Sequence, residues 1–146
     1  AADVREDYQA RFFAAQSYAA LGLEPEAEAS YRRALYVVND HLELNPDDAR
    51  AVTMGAVSHC RVGDRAAGLE WAERAVMVDP EDAGIAYNVA CLYALEGETG
   101  KAFDCLERAV GRGFGNRDWL EKDPDLASIR DDPRFIELID GMRTGP

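Results

Sequence analysis

Lysine is almost missing from this chain: Lys101 and Lys122 are the only two in a basic set of 16 that is otherwise arginine. Against those stand 28 acidic residues, so the net charge is −12. A surface that acidic repels phosphate backbones and anionic lipid, which argues against nucleic acid and membrane surfaces as partners. No apolar run approaches the roughly 20 residues that span a bilayer, and no charged-then-apolar leader opens the chain. Cys60, Cys91 and Cys105 are too few and too scattered for a disulfide framework, and read as reduced thiols of a cytoplasmic protein. The sole neighbouring Cys/His pair, His59-Cys60, points its side chains about 100° apart on a helix, so no metal is expected. Ala1 stands where a start methionine would, and the chain is expected to be a piece of a longer protein.

What is present favours helix. Alanine is abundant, β-branched residues are sparse, and the 47% hydrophobic and 30% charged fractions are those of a globular protein. Three stretches end a helical pattern on glycine and resume it a few residues later: Ala19-Ala20-Leu21-Gly22, Cys60-Arg61-Val62-Gly63 and Ala94-Leu95-Glu96-Gly97. Glycine there supplies the left-handed residue that closes one helix and lets the next run back beside it. Gly63 and Gly97 lie 34 residues apart.

Side chains of matching size recur in that register. Val89, Ala90 and Tyr93 are followed by Ala102, Leu106 and Ala109. Gly55, Ala56 and His59 are followed by Gly68, Ala72 and Ala75, with Pro80 closing the unit. Ala14, Ala15 and Tyr18 are followed by Ala27, Tyr31 and Ala34. These places resemble the tetratricopeptide (TPR) signature, although its tryptophan place holds Arg11, Val52 and Ala86. The resemblance implies an all-α right-handed superhelix of three helical hairpins, at about 2–44, 48–80 and 82–114. Small residues would let paired helices approach, and large ones would plug the gap to the next pair.

Gly22 to Gly63 spans 41 residues, seven more than the period. The excess falls in a helix expected over 26–44, whose apolar stripe Ala27, Tyr31, Ala34, Leu35, Val38, Leu42 continues unbroken. A partner for that stripe exists if the preceding helix starts near Val4, with Val4, Tyr8, Phe12 and Ala15 in helical spacing. The first hairpin is therefore expected to be elongated.

Residues 116–146 are expected to form short helices that cap the array, as every solenoid end requires. Asp123-Pro124 and Asp132-Pro133 are helix starts, and Phe135, Ile136, Ile139 and Met142 make one apolar face. From Tyr87-Asn88-Val89-Ala90-Cys91 through Gly113-Phe114 and Trp119-Leu120 to Asp123-Pro124-Asp125-Leu126 and Arg130-Asp131-Asp132-Pro133-Arg134-Phe135, the chain is similar to C-terminal TPR segments of bacterial signalling proteins. There such segments follow cyclase, kinase or winged-helix regulator domains. That resemblance implies an accessory module of a larger signalling protein.

No residues converge on a reaction. No glycine-rich loop follows a strand, the calcium-loop pattern D-x-D-x-D-G is absent, and His41 and His59 lack a nucleophile at a recognisable spacing. His59 is read as structural and His41 as solvent-facing, and no enzyme activity or cofactor is expected. What the TPR resemblance implies is a concave row on the first helix of each pair: Gln9, Phe12 and Gln16; Arg50, Thr53, Val57 and Arg61; Tyr87 and Cys91, with Asn88 beside them. Aromatic rings would anchor apolar groups of a peptide, amides would meet its backbone and arginines its carboxylates. The places that clamp chaperone tails in the family hold Phe12, Gln16, Met54, Gly84 and Asn88 here, none of the required type. The expected function is binding of a protein or peptide, or of a domain of the parent chain. The alternative is a structural module that packs on itself as a homodimer or on its parent chain.

Overall fold

A computed structural model describes residues 7–142. Helices account for every regular element among them. Eight are α-helices: α1 Tyr8–Ala20, α2 Glu24–Leu44, α3 Ala49–Arg61, α4 Arg65–Val78, α5 Ala83–Leu95, α6 Thr99–Gly111, α7 Arg117–Lys122 and α8 Pro133–Gly141. A 3-10 helix, Pro124–Ile129, lies between α7 and α8. None of the described helices is long and apolar enough to cross a membrane. The chain groups into two compact units that divide after Val78.

In the first unit α1 packs on α2, α3 on α4, and α2 also lies against α3. Aspartate starts most of these helices. Asp7, Asp48 and Asp64 accept the backbone N–H groups of Gln9, Ala51 and Ala67, which would otherwise lack partners. Glycine stops α1 and α3: Gly22 and Gly63 have φ of 74° and 93°. The chain then closes with Leu23 N–H on the Tyr18 carbonyl and Asp64 N–H on the His59 carbonyl. Small residues at the recurring places let the helices approach. Ala15, Ala34, Ala56 and Ala75 have no exposed surface.

Helix α2 runs unbroken for 21 residues, against 14 in α4 and 13 in α6. Its extension buries Val38 and Leu42. The first hairpin is longer than the next ones through α2. Helix α1 has 13 residues and begins at Tyr8 because Asp7 caps it there, while Val4 lies outside the described residues. The far end of α2 finds its partners on Tyr8 and on α3. Val38 abuts Gly55, where an added Cβ would lie 3.3 Å from Val38 Cγ1. Trp71 of α4 fills the space above Gly55, with its Cε3 2.6 Å from the same point, and meets His59 edge-on at 4.8 Å. A large indole from the second helix thus replaces the large residue missing from the first.

In the second unit α5 packs on α6, and the 3-10 helix packs on α5. Gly97 and Gly113, with φ of 80° and 85°, close α5 and α6 as their counterparts do in the first unit. Asp123 and Asp132 cap the 3-10 helix and α8, each before a proline. Phe135 and Ile139 of α8 are buried, and Arg134 sets its guanidinium 5.0 Å over the Phe103 ring of α6.

Candidate functional site

The candidate row divides between the two units. In the first unit, Arg50 and Arg61 stand at opposite ends of α3 and are exposed. Eleven residues are close to three full turns, so both leave the same side of the helix about 16 Å apart. Neither makes an ion pair with another described residue. Several other cations are paired: Arg32 with Glu28, Arg112 with Glu81, Arg117 with Glu121, Lys122 with Asp118, and Arg134 with Asp104 and Glu107. Burial pushes the Tyr8 and Tyr31 phenols up, and the charges of Arg50 and Arg61 act against that shift. Gln16 of α1 is exposed, Gln9 and Val57 are half-buried, and Thr53 is buried with its hydroxyl donating to the Ala49 carbonyl at 2.7 Å.

The aromatic anchors are not available. Phe12 is 5% exposed, its ring edge-on to Tyr31 of α2 at 6.1 Å. An edge contact of this kind draws the ring into the α1–α2 interface and away from solvent. Tyr87 is 4% exposed, against Phe114 at 4.7 Å. Its hydroxyl donates to Asp123 Oδ2 and accepts the Trp119 indole N–H at 2.9 Å. Burial, and then the Asp123 hydrogen bond, push the Tyr87 phenol far above its ordinary value. Cys91, one turn along, is also buried. Burial first and the carboxylates of Asp123 and Asp125 next keep its thiol protonated. Asn88 alone of the three α5 candidates is exposed.

The residues that close the α5 row come from the segment after α6. Ser128 Oγ donates to the Ala94 carbonyl at 3.1 Å, while Leu120, Leu126 and Ile129 are buried. The helix start at Asp123-Pro124 is legible in the chain. Nothing in the one-dimensional pattern says which face the segment will cover.

A second cluster involves His41, which is half-buried and not solvent-facing. Its Nε2 lies 2.8 Å from Asp48 Oδ2, which also accepts the Tyr8 hydroxyl at 3.1 Å. The His41 and Tyr8 rings are 4.6 Å apart. The seven-residue extension of α2 is what brings the imidazole to the cap of α3. Among the described residues no three His, Cys, Asp or Glu side chains come together as a metal site. No family model matches the chain.

Proposed function

We propose that this chain is a protein-association module whose open contact surface is the Arg50–Arg61 side of α3, recognising acidic groups of an extended partner segment. The observation that carries the reading is charge placement. In a chain of net charge −12, two exposed arginines on one helix side carry no carboxylate from the described residues. Guanidinium groups left in that state supply charge-assisted hydrogen bonds to an incoming carboxylate. Gln16, exposed on α1, offers an amide to a peptide backbone. The partner is a protein segment, or a cyclase, kinase or regulator domain of a longer signalling chain.

The structural alternative gains from the burial of Phe12 and Tyr87. A module whose aromatic places serve its own packing needs no foreign peptide to fill them. The two readings separate on one variant. Under the interaction reading Arg61→Glu weakens the partner captured with the wild-type chain about tenfold or more, and leaves the helical circular dichroism and melting temperature unchanged. Under the packing reading it leaves capture intact, or shifts the oligomeric mass seen by light scattering.

A further inference from the structure

The segment after α6 makes two different kinds of contact. Helix α8 packs against α6 and α7, burying Phe135 and Ile139, and its Arg134 pairs with Asp104 and Glu107 of α6. Residues 116–130 bury Leu120, Leu126 and Ile129 and also address the candidate row of α5 with directional bonds. The Trp119 indole meets the Tyr87 hydroxyl, Tyr87 meets Asp123, and Ser128 meets the Ala94 carbonyl. Excluding water from an apolar helix needs no such bonds. Three in succession specify a single seat and a single register.

This segment also holds its own shape. Asn116 caps α7 through the Trp119 N–H, Asp123 caps the 3-10 helix through the Asp125 N–H, and Arg130 braces the turn by donating to the Asp123 carbonyl at 2.6 Å. Between it and α6 lie Gly113 and Gly115, both with positive φ. A pre-shaped segment on a short glycine-containing tether, seated by side-chain bonds on a candidate recognition row, has the construction of a ligand supplied by the chain itself.

We infer that residues 116–130 act as an internal ligand of α5, closing to partners the row formed by Tyr87 and Cys91 until the segment is released. The inference rests on reading the first-helix rows as contact surfaces. A tethered segment acts at an effective concentration of about a millimolar, so a free segment of equal intrinsic affinity at about a micromolar displaces almost none of it. Release therefore needs a weakened segment.

Cys91 reports the state of the row, because it lies beneath the segment while Cys60 of the first unit is half-buried and serves as an internal reference. The experiment is maleimide labelling of the full chain, read site by site by mass spectrometry, with a synthetic peptide of residues 116–130 as the probe. In the wild-type chain Cys91 should label at least about tenfold more slowly than Cys60, with or without peptide. Leu120→Ala should accelerate Cys91 about tenfold or more, and the peptide, but not a scrambled version, should restore its protection. Should Leu120→Ala lose helical circular dichroism, Trp119→Ala is read in its place, since that side chain is 58% exposed. Two results overturn the inference. Cys91 could stay slow in the variant, which would mean the segment does not close the row. It could also become fast with no protection from the peptide, which would make the segment a fixed part of the core. Either failure leaves the Arg61→Glu result unaffected.

Discussion

Asp48 gathers three partners on one carboxylate. Oδ1 takes the Ala51 N–H, while Oδ2 takes the Tyr8 hydroxyl and faces His41. Partial burial raises its carboxyl, and the His41 hydrogen bond, with those from Ala51 and Tyr8, outweighs that and holds it below its ordinary value. A depressed carboxyl stabilises the fold above the unfolded value, about pH 4, and loses that contribution as pH falls through its folded value. Asp48→Asn keeps an oxygen for the cap and removes the charge. It should cost about 1 kcal/mol at neutral pH, with the gap in urea midpoint from wild type narrowing below about pH 4. A gap constant down to about pH 2.5 would show that the charge contributes nothing. Glycines give a paired expectation. An added Cβ at Gly68 would press on Cys60 Sγ and lie 2.9 Å from the Ala56 carbonyl oxygen, whereas at Gly100 it meets open space. Gly68→Ala should destabilise by about 1–3 kcal/mol, and Gly100→Ala should stabilise by up to about 1 kcal/mol, both read from urea midpoints. Both are helical glycines, and packing tells them apart.

Among the elements, α2 shows how far periodicity reaches. Its length follows from the seven-residue excess and its unbroken stripe, and both are realised in the 21-residue helix. The partner of that stripe is a different matter. Val4, from which a matching extension of α1 is expected, lies outside the described residues. Among these α1 begins at Tyr8 after the Asp7 cap, and the stripe packs where α3 and Tyr8 offer surface. Leu42→Ala should therefore cost about 2 kcal/mol or more through the cavity left behind, while Leu44→Ala, at a site 63% exposed, should cost less than about 0.5 kcal/mol. Equal losses in thermal or urea unfolding would mean that the end of α2 frays. The caps at Asp123 and Asp132 were legible, because Asp before a helical run acts on the next few backbone N–H groups and needs no distant residue. Those at Asp7, Asp48 and Asp64 emerge only in the structure, and α2 and α6 have no side-chain cap.

For the whole molecule, charge is the property that composition alone sets. Acidic excess repels itself in any compact arrangement, and salt screens it: the Debye length falls from about 30 Å at 0.01 M to about 8 Å at 0.15 M. The melting temperature should rise by a few degrees over that range at neutral pH, and a flat or falling trend would show that local ion pairs outweigh the net repulsion. Helix positions, glycine stops, aspartate starts and the recurring small residues were all determined by the sequence, since each depends on neighbours within one or two turns. Which aromatic side chains stay open was not. Phe12 and Tyr87 occupy row places by register, yet Tyr31 and the 116–130 segment take them into the interior. A helical register states which side a residue leaves from, and only the tertiary structure decides what already stands on that side.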